Sequence, residues 1–414
     1  MARSPYNLGS RQMIRVAFFV SILISFWHTA ALAQNDLIPD RRAAITRDLD
    51  FYGSDLQAIF DTNLSACRQA CLTDDRCVAF TFNSRSNSCF PKSEISKTEP
   101  YEGALSGRIY ETARNSEILA NQRRDELVFL TEEDFGAAYR MADELPEKFY
   151  PDEWSISALI SAAQNAEQEG NFENAIGWTA AALVLSDRAD HWLDYAWLNM
   201  TVKSESSSKT RRYRQTALRA SINAYLRSDN PAQRASILSV MADALQAGRR
   251  GKTMIPALRL SYDLAPRDDT DMALNAAIAK YGFRVTETSV ESDSADPRIC
   301  ANFSDPLAKN GVDYENFVQF SDTGLTVTAS GSQLCVQGLQ HGERYRFTLR
   351  QGLPSASGEA LVKSVSLTQY VRDRGPIVRF PGRAYILPKT PDAGIPITTV
   401  NLTEVALKLR RVSD

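Results

Sequence analysis

The spacing of hydrophobic and polar positions divides the chain into a short mixed segment, a long helical segment and a strand-rich segment. Over residues 112–283, small and large apolar residues recur at helical intervals, most clearly in residues 154–200. Gly170 and Asn171 interrupt this pattern, as a turn between two antiparallel helices would. From Pro297 onward, Val, Thr, Phe and Tyr alternate with polar residues between glycine-containing turns, which predicts β-strands.

The first 33 residues have the order of a secretory signal peptide. Three arginines precede an apolar run at residues 16–27, and small residues lead up to Ala33. The run is shorter than the roughly 18 apolar residues that cross a bilayer. We therefore expect cleavage between Ala33 and Gln34 and a periplasmic or secreted chain, which would contact a membrane only through an uncleaved signal segment. The polar residues 34–48 that follow predict a linker.

All six cysteines lie in the predicted mature chain, four close together and two far downstream. An even number of cysteines in an exported chain favours disulfides. Their spacing lacks the paired knuckles of zinc sites, so we expect disulfides rather than a metal. The grouping predicts two separately stapled domains with a cysteine-free stretch between them. The cysteines are Cys67, Cys71, Cys77, Cys89, Cys300 and Cys335.

A helix and a strand carry the first cysteine group. Cys67 and Cys71 are four positions apart and would share one face of a helix. Cys77 follows an Asp-rich turn, and the alternating residues 78–82 predict a strand. A hydrophobic core alone is marginal in so small a domain, so disulfides would contribute much of its stability.

In its Cys-x3-Cys-x5-Cys spacing, its Phe-x-Phe strand and its closing Cys-Phe-Pro-Lys, this segment resembles a PAN/apple domain over residues 49–111. The resemblance implies a non-catalytic domain that binds proteins or carbohydrate. It also implies two disulfides, Cys67–Cys89 and Cys71–Cys77. Pro91 stands where the family usually has Leu, which predicts an irregular final strand.

The helical segment, residues 112–285, contains a stretch from Ala166 that resembles one tetratricopeptide repeat. Related helix endings recur about 40 residues apart, which is irregular and longer than the usual repeat. We therefore expect an α-solenoid-like array, a class that provides binding surfaces or spacers. The basic residues 209–214 are predicted to lie in solvated loops.

Residues 286–394 resemble the first macroglobulin domain of bacterial alpha-2-macroglobulins. The resemblance rests on motifs around Cys300, Cys335 and Val378 that follow one another in the family's order. It implies a fibronectin-like, seven-stranded β-sandwich with a Cys300–Cys335 disulfide, and the strand pattern alone also predicts a β-sandwich. The acidic, serine-rich residues 286–296 are typical of a linker.

Residues 395–414 resemble the linker and first strand of a further macroglobulin domain. One strand cannot form a domain, so we expect the chain to be the N-terminal part of a longer protein. The predicted fold class is multidomain α+β. The predicted order is signal peptide 1–33, linker 34–48, PAN/apple domain 49–111, helical domain 112–285, first macroglobulin domain 286–394 and truncated second domain 395–414.

The family that this architecture resembles consists of protease traps, many of which couple a protease covalently through a thioester in a Cys-x-Glu-Gln motif. That motif does not occur in the 414 residues. We therefore expect this portion of an endopeptidase inhibitor to bind proteins, proteases among them, or carbohydrate. The alternative is a stand-alone envelope adhesin or scaffold that binds glycan or protein through the PAN/apple and helical domains. An in-frame continuation with more β domains would favour the inhibitor.

No catalytic, cofactor or metal site is predicted. His191 and His341 are the two histidines of the predicted mature chain; they fall in different domains, and both are expected to be structural. Sequence motifs for a nucleophilic serine, a zinc-binding helix or a nucleotide-binding loop do not occur. The net charge of −3 argues against nucleic acid as a partner. We expect a protein that is not an enzyme and has no cofactor.

Overall fold

The computed structural model has a multidomain α+β fold, in which two compact units are divided between Asn230 and Pro231. The signal segment predicted for residues 1–33 and its cleavage site lie outside the described residues. The domain boundaries at 111/112 and 285/286 stay predictions. The structure describes residues 36–309, 311–321, 323–381, 394–408 and 410.

A four-stranded antiparallel sheet and one helix form the start of the first unit. Helix α1 (Leu64–Leu72) packs on the sheet, and the Asn63 side chain caps it by accepting from the Ala66 N–H at 2.9 Å. The helix and the strand predicted around the clustered cysteines are thus confirmed. The sheet order is β1-β4-β2-β3, with β1 Arg41–Tyr52, β2 Ala79–Asn83, β3 Ser88–Lys92 and β4 Lys97–Glu111.

The prediction of a linker over residues 34–48 is wrong from Arg41 onward, because strand β1 begins there. Ala43 and Ile45 are fully buried on one face of β1 and pack in the core beneath α1. Arg42, directly before Ala43 in sequence, donates to helix carbonyls elsewhere in the unit. Several charged residues of β1 make buried contacts, so the strand has a composition that is typical of a loop.

Strand β3 is regular, so the irregular strand predicted from Pro91 is wrong. Its pairing with β2 continues without a break from Ser88 to Lys92. The Pro91 carbonyl accepts from the Leu56 N–H at 2.8 Å, on the side away from β2. The N–H that proline lacks would point to that same outer side, so the proline removes no hydrogen bond between β2 and β3.

Six helices follow the sheet in the part of the first unit that the structure describes. The predicted turn at Gly170 and Asn171 is confirmed: Gly170 has φ +75°, and the Asn171 side chain caps the helix that follows. The helices are α2 Arg114–Glu126, α3 Glu132–Lys148, α4 Ile156–Gln168, α5 Phe172–Ser186, α6 Ala189–Thr201 and α7 Ser207–Arg227.

The prediction that residues 209–214 form a solvated loop is wrong, because they lie in the first turns of α7. Ser206 caps this helix, and lysine and arginine are good helix formers. Arg214 donates to the carbonyls of Asn199 at 2.5 Å and Val202 at 3.3 Å. One member of the basic run therefore holds the turn before its own helix.

The described part of the second unit contains three α-helices, α8 Pro231–Ala247, α9 Gly251–Leu264 and α10 Asp268–Tyr281, followed by two sheets around one apolar core. Ile299 and Val336 from the first sheet pack in the same core as Phe347 and Leu349 from the second. This confirms the predicted β-sandwich. Its sheets are β5-β6-β9-β8 and β11-β10-β7, with β5 Val285–Glu291, β6 Arg298–Phe303, β7 Val318–Phe320, β8 Thr326–Ser330, β9 Gln333–Gln337, β10 Arg344–Leu349 and β11 Val365–Tyr370.

The first half of the segment 286–296, predicted as a linker, belongs to strand β5, which pairs with β6. Val285 and Val290 pack against the sandwich core, and the four polar residues between them, Glu287 among them, hide this pattern. After the sandwich, β12 (Ile377–Arg379) and β13 (Thr398–Val400) form a two-stranded sheet. In the described part of the chain, every helix is too short or too polar to cross a membrane.

Candidate functional site

Two disulfides fasten α1 to its surroundings in the first unit. Cys67 on α1 is bonded to Cys89 on β3, with Cα atoms 5.5 Å apart. Cys71, one turn further along α1, is bonded to Cys77 in the following loop, with Cα atoms 5.3 Å apart. All four cysteines are fully buried and pack with Phe80 in one cluster. The helix is thus tied at one end to the sheet and at the other to its own exit loop.

The third disulfide lies in the β-sandwich. Cys300 on β6 and Cys335 on β9 stand directly opposite each other in the antiparallel register and are bonded, with Cα atoms 4.0 Å apart. Both residues are buried. The bond therefore links two neighbouring strands of one sheet, and the residue pairs in all three disulfides are those that the family resemblances imply.

A buried arginine fills the loop that the second disulfide closes. The guanidinium of Arg41 on β1 donates to four backbone carbonyls at the end of α1 and in the loop. Carbonyls at the end of a helix have no partner within the helix and carry its negative dipole end, so a cation is favoured there. The acceptors are Cys71 at 3.2 Å, Leu72 at 2.8 Å, Asp74 at 3.0 Å and Cys77.

Two ion pairs lie close to the disulfides of α1. Arg76 donates to both carboxylate oxygens of Asp74, at 3.0 and 2.8 Å, and these hydrogen bonds lower the pKa of Asp74 to about 2. Lys92 of the closing motif is buried, and its ammonium donates to Asp55 at 2.5 Å. The first pair extends the pH range in which Asp74 is ionised further into acid, and the second gives the buried Lys92 cation a counter-charge.

A third arginine, Arg68, joins α1 to helix α3. Arg68 on α1 is only 4% exposed and donates to both carboxylate oxygens of Asp143, at 2.9 and 3.1 Å, and to Glu147 at 2.7 Å. Burial lowers the pKa of Arg68, but the hydrogen bonds and charges of the two carboxylates outweigh that effect and raise it. Such a bidentate pair is geometrically specific, so it fixes how α1 lies against α3.

Both histidines singled out in the sequence make local contacts. The Nδ1 atom of His191 lies 2.6 Å from the Ser186 hydroxyl, and the Nε2 atom of His341 lies 2.8 Å from the Ser292 carbonyl. The two histidines fall in different units. Within the ranges that the structure describes, no group of three or more His, Cys, Asp or Glu side chains is arranged to hold a metal ion.

Sequence reasoning missed Arg41 and Arg68. Arg41 falls in the segment predicted as a linker, and Arg68 lies on the predicted helix between two cysteines. Apolar residues at the alternate positions Ala43, Ile45, Leu49 and Phe51, interrupted by Arg47, are the signal that could have identified β1 and, with it, Arg41.

Comparisons with known proteins agree with this arrangement. A family model described as PAN domain matches residues 43–118. The chain is 25% identical over 147 residues to the alpha-2-macroglobulins of two strains of Xylella fastidiosa, 9a5c and Temecula1, which covers 33% of this chain and 9% of either relative. It is also 34% identical over 64 residues to the putative receptor protein kinase ZmPK1 of Zea mays, covering 16% of this chain and 7% of that protein. The matches thus span less than a tenth of the length of these relatives.

Two solved structures are similar over part of the chain. A crystal structure of native alpha-2-macroglobulin from Escherichia coli, spanning domains MG0-NIE-MG1, is 18% identical with a TM-score of 0.25, and the match covers 31% of this chain and 44% of that one. The Salmonella alpha-2-macroglobulin mutant Y1175G is 19% identical with a TM-score of 0.24, covering 30% of this chain and 9% of that one. The family match at residues 43–118 and the bacterial sequence relatives confirm that the chain contains a PAN domain and a segment similar in sequence to bacterial alpha-2-macroglobulins.

Proposed function

We propose that this chain is part of an exported alpha-2-macroglobulin-like endopeptidase inhibitor and serves it by binding protein or carbohydrate without catalysis. One observation carries the proposal: a PAN domain and alpha-2-macroglobulin-like sequence occur in the same chain. The three disulfides fit an extracytoplasmic protein, since such bonds persist in oxidising compartments. We place the protein in the periplasm or outside the cell.

The geometry of the first unit supports binding by a surface that is already ordered. Two disulfides, the Arg41 hydrogen bonds and the Arg68 pairs join the sheet, α1 and α3. A surface that is rigid before it meets a partner loses little conformational entropy on binding. A non-covalent recognition role therefore suits this unit.

The state of the cysteines determines whether this chain could bind a protease covalently. The sequence has six cysteines, and all six are paired in disulfides. A thioester needs a thiol that is not in a disulfide, and the Cys-x-Glu-Gln motif does not occur in these 414 residues. Any complex between this chain and an endopeptidase is therefore expected to be non-covalent.

We expect the purified chain, beginning at Gln34, to form a complex with trypsin, elastase or subtilisin that dissociates completely in denaturing detergent. Size-exclusion chromatography with light scattering measures the complex, and a denaturing gel of the same fraction tests for covalent coupling. Serum albumin in place of the protease is the control. A detergent-resistant adduct, or the absence of a complex with all three proteases at about 100 µM, would contradict the proposal.

Export is expected to remove the first 33 residues. When the full chain is expressed in a bacterium, N-terminal sequencing of the periplasmic or secreted product should start at Gln34, because signal peptidase cleaves after a small residue. Ala33→Glu should leave the precursor uncleaved, whereas Ala30→Glu, outside the small-x-small site, should still be processed. A cytoplasmic product with free thiols would show that export is wrong.

A further inference from the structure

A cleft of about 440 Å³ lies in the first unit between strand β1, the segment after α3 and helix α5. Arg47 of β1, Tyr150 after α3, and Glu173 and Trp178 of α5 contribute to its lining. The volume falls within the roughly 300–1,000 Å³ of small-ligand pockets. The polar and apolar groups in its wall, together with this size, fit a small amphipathic ligand better than a water-filled gap.

Trp178 in the cleft wall stands next to a second tryptophan, Trp154, which is not itself part of the lining. Trp178 packs on one side against the buried cluster of Leu159, Ala181 and Ala182. Its ring centroid is 5.4 Å from that of Trp154, at an interplanar angle of 34°. The Trp154 side chain is 49% exposed, so a large aromatic face remains in solvent. Such faces bind the C–H surface of a sugar ring by dispersion and weak C–H···π contacts.

The charged residues around the cleft already have partners of opposite charge. Because they are neutralised in pairs, the cleft has little net charge with which to attract an anion or a cation. The paired groups keep free lone pairs and N–H groups that hydroxyls can use. The pairs are Arg47–Asp152 at 2.6 Å, Lys148–Glu144 at 2.7 Å and Glu173–Lys209 at 3.5 Å.

Gly177 is an independent indication that a ligand approaches this wall. It lies in the interior of α5, where glycine is less favourable than alanine, and it lines the cleft. Its φ is not in the left-handed region, and a Cβ atom built on it would meet nothing within 4 Å. Neither backbone conformation nor packing in this chain therefore requires glycine here. A bare backbone at a cleft wall allows a ligand to come close.

From these observations we propose that the cleft binds a neutral oligosaccharide, with one pyranose ring stacked on the Trp154–Trp178 pair and its hydroxyls hydrogen-bonded to Arg47, Glu173 and Asn174. A proline-rich peptide also binds aromatic grooves, but its prolines have no N–H and would add no donor to the Glu173 carboxylate beyond those of Lys209 and Tyr213, whereas sugar hydroxyls would. The inference rests on the proposed non-catalytic binding role and assigns it a ligand class and a site.

The test titrates the mature chain with chitohexaose, cellohexaose and maltohexaose, and follows heat and tryptophan fluorescence. We expect at least one sugar to bind with Kd in the range of about 10 µM to 1 mM. Trp154→Ala should weaken that binding at least about tenfold, since one stacking surface is lost. Trp197→Ala is the matched control, because Trp197 is similarly exposed at 43% but, unlike Trp154, makes no ring contact with the cleft residue Trp178 in the part of the chain that the structure describes; it should change Kd by less than about twofold.

Gly177→Ala separates binding from folding. It should keep or raise the melting temperature, because alanine favours the helix, yet weaken sugar binding several-fold. Gly136→Ala is its control: Gly136 is also inside a helix, a Cβ there would meet only the Arg140 guanidinium at 3.4 Å, and sugar binding should not change. A Gly177→Ala variant that binds sugar as tightly as the wild type would remove the second line of support and count against the site.

Three outcomes overturn the inference. They are no sugar binding at about 5 mM, sugar binding that Trp154→Ala leaves unchanged, and binding of a proline-rich peptide that no sugar displaces. Failure here is distinguishable from failure of the proposed function, because the endopeptidase complex and sugar binding are both measured on the unsubstituted mature chain. A complex that forms without sugar binding overturns the cleft alone, and sugar binding without a complex overturns the inhibitor role alone.

Discussion

Replacing Cys67 and Cys89 together by alanine is expected to lower the free energy of unfolding of the PAN domain by about 3 kcal/mol from loop entropy alone. The disulfide joins residues 22 positions apart, so its removal restores much freedom to the unfolded chain. Both cysteines are fully buried in the domain core, and alanine would also leave a cavity there. We therefore expect the domain to be largely unfolded at 37 °C, as is common when small exported domains lose a disulfide.

The other two disulfides provide graded controls for this variant. The Cys71–Cys77 pair closes a loop with a separation of only 6 residues, and its removal should cost about 2 kcal/mol. The Cys300–Cys335 pair lies in the second unit, so its removal should leave the PAN domain unchanged. A chain of several domains need not unfold in one step, so we would measure hydrogen exchange of peptides from residues 41–111. Equal protection in the Cys67→Ala/Cys89→Ala variant and the wild type would refute the expectation.

The sequence was most informative where a structural feature depends on neighbours in the chain. Cys67 and Cys71 lie on a helix because their spacing, the Asn63 cap and the following turn are all local. The turn at Gly170 and Asn171 and the alternating strands of the sandwich are local in the same sense. These elements could be predicted because periodicity and capping residues act within a few positions.

The contacts that sequence reasoning missed join residues far apart in the chain. Arg41 reaches carbonyls 30 to 36 positions away, and Arg68 reaches Asp143, 75 positions away. From the sequence alone, a charged residue that is buried in the fold cannot be distinguished from one that is exposed to solvent. The sequence predicts linkers at β1 and β5 for this reason, since their polar residues outweigh a short apolar alternation. The cleft could not be predicted either, because only the tertiary structure brings Arg47 and Trp178 together.

Arg41→Met is expected to lower the free energy of unfolding of the disulfide-bonded region formed by the four-stranded sheet and α1 by on the order of 3 kcal/mol. Methionine keeps much of the side-chain volume but removes the donors of four hydrogen bonds. Hydrogen bonds from a charged group contribute more than neutral ones, and buried carbonyls left without a donor carry a desolvation penalty. Arg41→Lys should recover only part of the loss, because one ammonium cannot reproduce the spread of the guanidinium fork.

Arg42→Met is the matched control, because the two arginines are adjacent on β1 and contact different elements. Arg42 donates at 3.3 and 3.2 Å to the carbonyls of Val184 and Leu185 in the last turn of α5. Its loss should therefore speed hydrogen exchange at the end of α5, whereas loss of Arg41 should speed exchange in residues 71–77. If Arg41→Met left exchange in that loop as slow as in the wild type, the Cys71–Cys77 disulfide alone would be sufficient to order it. The buried guanidinium would then contribute to the packing of β1 rather than to the structure of the loop.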